Sequence, residues 1–362
     1  MTSIPKLIIV GGFLGAGKTT LLAQARAELA KRGFKVGLIT NDQAPGLVDT
    51  AWLGAGSGVV EVTGSCYCCD FAGFEKALAN LSQWGASVIV AEPVGSCADL
   101  SATVLQPLKD LCQAKVSPTQ FSVVLDPTRA QEVLGTKKSL LHKDALYILG
   151  RQVAEADLLL LNKIDLLGAE EKVALVKQLA DKYPKTQVLA LSAKDGQGVG
   201  AWLDTLLSGS GQPGRHIVEM DYDRYASGEA VLGWLNLTVE ADFASRGGAK
   251  EVTAFLEKLR AALSQGHMET GHVKVLWPSP EGTFVGNITD THSPAVVTKG
   301  ATSAGPILIN ARVESEPQDL EKLVRQILAE VAQELKMNAN VKDVYCLKPG
   351  RPNPTHRYSQ AI

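Results

Sequence analysis

Residues 12–19 have the types and spacing of a phosphate-binding loop. They read Gly-Phe-Leu-Gly-Ala-Gly-Lys-Thr and follow the apolar run Leu-Ile-Ile-Val at 7–10. Glycines let backbone N–H groups turn inward around an anion, and the N-terminus of a following helix adds a favourable dipole. We expect Lys18 to reach the β- and γ-phosphates and the Thr19 hydroxyl to bind Mg²⁺. The predicted nucleotide contacts of this loop are Gly12, Gly15, Ala16, Gly17, Lys18, Thr19 and Thr20.

A second motif, Asn-Lys-Ile-Asp at 162–165, directly follows the apolar run 158–161 and indicates recognition of guanine. A carboxylate here accepts two hydrogen bonds from guanine, whereas adenine lacks the matching donors. The carboxylate that adenine leaves unpaired is what rejects the wrong base. A Ser-Ala-Lys triplet at 192–194, after the next apolar run, is typical of a companion backbone contact. The predicted base contacts are Asn162, Lys163, Asp165, Ser192 and Ala193.

Acidic residues at strand ends supply candidates for Mg²⁺ binding and catalysis. Glu92 ends the apolar run 88–91, and Gly95 follows it. In phosphate-loop proteins this place holds the second Mg²⁺ contact and a glycine amide that senses the γ-phosphate, although Glu92 could equally be an N-terminal acid of a helix. Asp42 and Asp49 lie in the region of the first switch, where either could hold Mg²⁺, orient the attacking water or form a turn. We predict Lys18, Asp49, Glu92 and Gly95 as catalytic residues and Thr19, Asp49 and Glu92 as Mg²⁺ ligands.

Three thiols lie within four residues, at Cys66, Cys68 and Cys69. They precede a predicted helix over 70–83, and a helix N-terminus favours the thiolate form that binds metals. Three soft ligands suit Zn²⁺, Co²⁺, Ni²⁺ or Cu⁺. A closed structural zinc site needs a fourth ligand, and none lies close in sequence, so an exchangeable site is expected. Buried structural cysteines and a redox sensor are the alternatives, and Cys97 is expected to be structural.

Alternating strands and helices must position these motifs. Short apolar runs at 7–10, 36–40, 59–62, 88–91, 121–125, 158–161 and 188–191 alternate with helical stretches. This order predicts an α/β fold with a mainly parallel sheet covered by helices. Beyond a Gly/Ser/Pro-rich linker at 208–214, clustered strands predict a smaller α+β domain with a largely antiparallel sheet. We therefore predict a phosphate-loop domain over 1–213 and a C-terminal domain over 214–362.

The bulk composition excludes several classes of protein. Apolar residues make up 45% of the chain, charged residues 20%, and the net charge is −2. This near-neutral balance argues against binding to nucleic acid, which usually requires a basic face. No apolar run approaches the roughly 20 residues that span a bilayer. No signal peptide is recognisable at the N-terminus, so we expect a cytoplasmic protein without a membrane partner.

Taken together, the motifs at 11–20, 66–69, 92–95 and 162–165 resemble those of the CobW-type GTPases, which are similar to the nickel chaperones UreG and HypB. The resemblance covers about residues 5–210 and implies hydrolysis of GTP with Mg²⁺. It also implies that the cysteine thiolates carry Zn²⁺, Co²⁺ or Ni²⁺ to a client apo-metalloprotein as the nucleotide changes. It leaves open a homodimer that depends on nucleotide or metal.

The chain departs from the family pattern in three places. Ser65 stands where the family usually has glycine, Asn-Asp-Gln-Ala at 41–44 replaces Asn-Glu-Phe-Gly, and Pro45 occupies a position where some members use a metal-binding glutamate. These differences leave the metal open. One alternative is a GTP-dependent conformational chaperone for a corrinoid or nitrile-hydrating enzyme, with only a structural zinc site. Another is a small-molecule kinase, against which the 162–165 motif argues.

Overall fold

The computed structural model describes residues 4–54, 58–242, 248–300 and 305–362. Within these residues the chain forms two compact units, and each unit combines segments that are distant in sequence. Unit 1 consists of 4–43, 58–225 and the C-terminal segment 351–362. Unit 2 consists of 44–54 and the described part of 226–350.

In chain order, the strands are β1 Lys6–Gly12, β2 Val36–Asp42, β3 Val59–Thr63, β4 Val88–Ala91, β5 Ser117–Pro118, β6 Ser122–Leu125, β7 Leu158–Leu161, β8 Gln187–Ala190, β9 Leu232–Ala241, β10 Thr270–Ser279, β11 Gly282–Ile288, β12 Val296–Gly300, β13 Ile307–Glu314 and β14 Ala339–Leu347.

The helices are α1 Lys18–Lys31, α2 Val48–Leu53, α3 Phe71–Gln83, α4 Gln106–Leu111, α5 Pro127–Leu134, α6 Lys143–Ala154, α7 Ala169–Lys182, α8 Val199–Leu207, α9 Tyr222–Ala230, α10 Ala249–Gln265 and α11 Pro317–Glu334. A π-helical turn, Ser101–Leu105, leads into α4, and a 3₁₀ turn, Ile164–Leu166, follows β7.

The sheet of unit 1 has the strand order β3-β2-β4-β1-β6-β7-β8, with β5 beside β1, and its strands pair in parallel. Strands such as β4 and β7 are apolar and fully buried, as expected for a parallel sheet covered on both faces. On α1, Leu21, Leu22, Ala25 and Leu29 are buried. The predicted α/β architecture is confirmed, and parallel pairing places the carboxyl ends of β1, β2, β4 and β7 on one edge.

Unit 2 contains a six-stranded sheet in the order β12-β11-β10-β13-β9-β14, and its strands pair in antiparallel fashion. Side chains alternate between its faces. One face packs with α10 and α11 in the main core, which contains Val275, Trp277 and Ile309. The other face packs against α2, where Val48 contacts a cluster that contains Leu276 and Leu308. The predicted α+β domain with an antiparallel sheet is therefore confirmed.

The predicted boundary between residues 213 and 214 lies inside unit 1. The amides of Gly214 and Arg215 donate hydrogen bonds to the buried carboxylate of Asp157, at 2.6 and 3.1 Å. These bonds extend unit 1 beyond the Gly/Ser/Pro-rich linker. None of the helices in the described part of the chain has the length and apolar composition that a membrane span requires.

Candidate functional site

The phosphate loop joins β1 to α1, and its shape requires glycine at two positions. Gly12 has φ +132°, and a Cβ there would lie 2.3 Å from the backbone oxygen of Val124. Gly17 has φ +98°, and a Cβ there would lie 2.4 Å from the Asn162 side chain. Both values are far inside van der Waals contact, so a side chain cannot fit. Gly15 also has a positive φ, while Thr20 lies in the first turn of α1.

Lys18 and Thr19 meet the end of β4 within unit 1. The Thr19 hydroxyl donates to Glu92 Oε1 at 3.3 Å, and Lys18 Nζ lies 3.7 Å from the same oxygen. All three residues are buried. At Gly95 a Cβ would lie 3.0 Å from Lys18 Nζ and 2.6 Å from Leu14, so the backbone of this glycine lies directly beside the lysine. The structure thus brings these four predicted site residues together.

The residues predicted to contact guanine are tied to the phosphate loop by Asn162. Its amide donates to the Ala16 carbonyl at 2.8 Å and accepts from the Ala193 N–H at 2.9 Å. Ser192 Oγ donates to Asp165 Oδ1 at 2.8 Å. Between these residues, Lys163 takes a left-handed conformation with φ +58°. The buried Asn162 amide and the Ser192 hydroxyl therefore hold the loop after β7 against the loop after β8.

The three sequence-predicted thiols form one compact cluster. The sulfur atoms of Cys66 and Cys68 are 3.1 Å apart, those of Cys68 and Cys69 are 3.8 Å apart, and all three lie within 4.8 Å of one another. Cys66 and Cys68 are buried, whereas Cys69 is half-buried. After the cluster, Asp70 caps α3 by accepting from the Gly73 N–H at 2.9 Å. The spacing and soft chemistry of the thiols fit a single transition-metal ion.

The three thiols differ in pKa, because they are hydrogen-bonded to one another. Hydrogen bonds from Cys68, Cys69 and Cys97 lower the pKa of Cys66 well below its ordinary value. The hydrogen bond with Cys66 raises the pKa of Cys68 well above its ordinary value and that of Cys69 to about 11. The negative charge of the metal-free cluster therefore resides on Cys66, the form that ligates a metal.

Cys97, which the sequence indicates as a structural cysteine, is buried near these thiols. Its thiol interacts with those of both Cys66 and Cys68. It is buried, and its carbonyl accepts from the Gln152 side chain at 2.8 Å. Cys97 comes two residues after Gly95, beyond a strand whose carboxyl end lies at the same sheet edge. That shared edge was the signal in the sequence for its proximity.

Two polar side chains connect the thiol loop to the nucleotide side of unit 1. The Tyr67 hydroxyl lies 2.9 Å from the Glu92 carbonyl and 3.2 Å from the Ile39 carbonyl. Asn41, at the end of β2, donates to the Ser65 carbonyl at 2.7 Å and accepts from the Tyr67 N–H at 3.2 Å. The cysteines therefore lie on a loop that is bonded to the ends of β2 and β4.

Asp49 is the third residue predicted to bind Mg²⁺. It lies on α2 in unit 2, where both of its carboxylate oxygens accept from Lys274 Nζ, at 2.8 and 2.6 Å. This ion pair offsets the charge of the carboxylate, and a role of Asp49 in Mg²⁺ binding stays a prediction. The other candidate, Asp42, ends β2 in unit 1 and is buried. Its strand pairs directly with β4, which ends at Glu92.

The donor set at Thr19 and Glu92 fits Mg²⁺. The ion prefers oxygen ligands and is commonly held by one or two protein oxygens together with substrate phosphates and water. The hydroxyl of Thr19 and the carboxylate of Glu92 provide such oxygens. Lys18 beside them supplies a positive charge for phosphate.

Solved structures with similarity to this chain include metal-bound GTPases of low sequence identity. HypB from Helicobacter pylori in complex with nickel is 17% identical, covers 56% of this chain and 86% of its own, and has a TM-score of 0.40. The Zn(II)-bound YjiA GTPase from E. coli is 17% identical, covers 91% and 99%, and has a TM-score of 0.38. A GTPase from Pyrococcus abyssi in apo form is 18% identical, covers 56% and 97%, and has a TM-score of 0.38. Such low values add no argument about ligands.

No curated protein sequence shows a significant match to this chain. The family model described as "CobW/HypB/UreG, nucleotide-binding domain" matches residues 6–190, just over half of the chain. That range contains the phosphate loop, the thiol cluster, Glu92 and Asp165. The chain is therefore a member of the CobW/HypB/UreG family.

Proposed function

We propose that this protein hydrolyses GTP and uses the nucleotide cycle to load and release a transition metal, Zn²⁺, Co²⁺ or Ni²⁺, on Cys66, Cys68 and Cys69. The metal is cargo for a client apo-metalloprotein. One observation carries the proposal. Tyr67, which lies between the metal-binding cysteines, hydrogen-bonds to the backbone of Glu92 beside the phosphate loop. A displacement of Glu92 therefore moves the thiol loop.

The nucleotide chemistry follows from the residues around Lys18. In the proposed reaction, water attacks the γ-phosphate in line, and the Lys18 ammonium offsets the charge that develops on the phosphate oxygens. The backbone of Gly95 lies beside Lys18, and its amide would contact the γ-phosphate. Mg²⁺, held by Thr19 and Glu92, would neutralise charge shared between the β- and γ-phosphates. Asp165 would accept from guanine, with Ser192 fixing its orientation.

We assign the switch carboxylate to Asp42 instead of Asp49. Asp42 belongs to the same unit as Thr19 and Glu92, and it follows Asn41, which bonds to the thiol loop. Asp49 is neutralised by Lys274 in the other unit. In this proposal, Asp42 links the nucleotide side of unit 1 to the thiol loop through the neighbouring Asn41.

The proposal is tested by measuring GTP affinity with and without metal and metal affinity with and without GTP·Mg²⁺. Thermodynamic linkage requires the two effects to be equal. We expect a coupling of about fivefold or more, within the usual range for allosteric sites. Tyr67→Phe should keep both individual affinities within about twofold and reduce the coupling, because it removes only the hydroxyl that reaches Glu92.

Cys68→Ser serves as the control for the identity of the metal site and should weaken metal binding while GTP still binds. Equal GTP affinity with and without metal would refute the proposed coupling. If Cys68→Ser instead unfolds unit 1 unless metal is added, the site is a structural zinc site. That result would favour a GTP-dependent conformational chaperone.

A further inference from the structure

The C-terminal segment of unit 1 lies on the thiol loop. The backbone N–H of Asn353 donates to Cys69 Sγ at 3.3 Å. Thr355 adds two bonds: its N–H donates to the Cys68 carbonyl at 2.7 Å, and its hydroxyl donates to the Cys69 carbonyl at 3.1 Å. The ring of His356 packs edge-on against Phe71 at a centroid distance of 5.2 Å. These contacts cover the side of the cluster where Cys69, its least buried thiol, is located.

Both ends of this segment are anchored by charged pairs. Arg351 Nε lies 2.8 Å from Asp223, and Arg357 Nε lies 2.7 Å from Asp99. Asp99 is buried and also accepts from the Tyr222 hydroxyl at 2.7 Å. Past the second anchor, the Tyr358 N–H donates to the Ala102 carbonyl at 3.1 Å.

The second anchor belongs to the segment that carries the nucleotide-sensing residues. Asp99 follows Gly95 by four residues, and a single side chain, Gln152, donates to the carbonyls of both Gly95 and Cys97, at 3.0 and 2.8 Å. Gly95, Cys97 and Asp99 therefore lie on one short segment, and Gln152 holds the first two of these residues.

We propose that residues 351–358 form a strap that closes the thiol site, with the Asn353 amide positioning Cys69, and that release of this strap is required for the metal to leave. This inference rests on the proposed function for the identity of the cargo. In the proposed function, the strap adds a contact that closes the thiol site. Its anchor, the Arg357–Asp99 pair, would respond to the nucleotide. An N–H donor also stabilises a thiolate ligand, because hydrogen bonds to an ionised acceptor are stronger than neutral ones.

Two variants isolate the strap. Asn353→Pro removes the backbone N–H that donates to Cys69, in a segment where residues 352 and 354 are already proline. Thr355→Val removes the hydroxyl and keeps the shape and the backbone donor. Asn353→Ala is the matched control, because it keeps the N–H and loses only the side chain. Gln360→Pro controls for adding a proline to the exposed end of the same tail.

The first readout is the rate at which iodoacetamide alkylates Cys69 in the metal-free protein, followed by peptide mass spectrometry. The second is the rate at which bound Co²⁺ passes to excess chelator, measured with GDP and with a non-hydrolysable GTP analogue. We expect Asn353→Pro and Thr355→Val to raise the rate of Co²⁺ release about three- to tenfold, the effect of losing one or two hydrogen bonds. Thr355→Val, which keeps the Asn353 N–H on Cys69, should raise the alkylation rate by a similar factor. Asn353→Ala and Gln360→Pro should stay within about twofold of the wild type.

Unchanged metal release in both strap variants, together with unchanged alkylation in Thr355→Val, would overturn the inference. Unchanged thermal unfolding and GTP binding establish that the variants are folded, and Thr355→Val remains decisive if Asn353→Pro does not fold. A different result marks failure of the proposed function: Co²⁺ binding that is equal in the wild type and in a variant with serine at all three cysteines. The alkylation readout would still test the strap in that case.

Discussion

At the scale of single residues, Gly95 is the position where the smallest change should affect catalysis. A Cβ there meets Leu14 and the Lys18 ammonium, both at the ends of side chains that can move. Gly95→Ala should therefore fold but displace Lys18, and misplacement of a catalytic group by about 1 Å can cost about a hundredfold in rate. We expect the GTP hydrolysis rate to fall about ten- to hundredfold, measured as phosphate release at saturating GTP.

Gly150→Ala provides the control for this variant. Gly150 lies in α6, and an added Cβ there meets no atom within 4 Å. Alanine should support the helix slightly better than glycine and leave hydrolysis unchanged. If Gly95→Ala hydrolyses GTP as fast as Gly150→Ala does, Gly95 has no part in positioning Lys18.

Glu155 gives unit 1 a pH dependence. It is fully buried, and although Oε2 accepts from the Ser101 N–H at 2.9 Å, burial raises the pKa of the carboxyl well above its ordinary 4.5. The native protein therefore holds this proton more tightly than the unfolded chain does, and stability falls as pH rises from about 4.5 toward the raised value. Glu155→Gln, which cannot ionise, should therefore be more stable than the wild type at pH 8.

Urea unfolding of both proteins at pH 5 and pH 8 checks this expectation. The advantage of the variant should shrink toward pH 5, because the wild-type carboxyl is then protonated in the folded state. Asp99 and Asp157, whose pKa values burial also raises, are present in both proteins and contribute to both curves. Parallel curves for the two proteins would contradict the assignment to Glu155.

At the scale of elements, α2 packs against the sheet of unit 2. In the sequence it lies in the region that we expected to form the first switch. The Val48 N–H donates to Asn310 Oδ1 at 2.8 Å, and the Asn310 amide donates to the Gly46 carbonyl at 3.1 Å. The Asn236 amide donates to the carbonyls of Ala44 and Pro45. Two asparagines from neighbouring strands therefore bind the segment that follows Asp42.

This arrangement separates the roles of Asp42 and Asp49. Asp49→Asn weakens the pair with Lys274, whose side chains are 14% and 17% exposed, and should lower the free energy of unfolding by about 1–3 kcal/mol. It should leave GTP hydrolysis within about twofold. Asp42→Asn should reduce hydrolysis at least about tenfold, since it removes the carboxylate beside the nucleotide residues. Hydrolysis assays and unfolding curves of both variants decide the assignment, and the reverse pattern would restore Asp49.

At the scale of the whole molecule, the segment 214–225 should determine how stable an N-terminal fragment of the chain is. Asp157 accepts from the amides of Phe121, Gly214 and Arg215, and its side chain is fully buried. A fragment ending at 213 leaves this carboxylate with one of three donors. We expect fragment 1–213 to melt at a lower temperature than fragment 1–225, with a loss of about 2–5 kcal/mol because two buried charge-assisted bonds are missing.

Differential scanning fluorimetry of the two fragments, both without the strap, measures the difference. Asp157→Ala in fragment 1–225 should remove most of the advantage of the longer fragment. Equal melting temperatures for 1–213 and 1–225 would show that residues 214–225 are dispensable to unit 1.

Much of unit 1 could be predicted from the sequence because its signals are local. The run at 158–161 forms β7, and the phosphate loop has the glycines that its backbone requires at residues 12 and 17. In unit 2, the clustered strands follow from alternating or apolar runs, whereas β12 has a weak signal in the sequence. Its residues, Val-Val-Thr-Lys-Gly, follow a polar loop and pair only with β11, so neither burial nor periodicity marks them.

The sequence by itself determined the chemistry of this protein: a phosphate loop, a guanine motif, a carboxylate after β4 and three adjacent thiols. These depend on residues close in the chain and on the carboxyl ends of parallel strands meeting at one edge. Only the tertiary structure decided that Asp49 pairs with Lys274 and that the tail reaches Cys69 from 284 residues away. Such contacts depend on how whole elements pack, and the local periodicity of the sequence does not predict that packing.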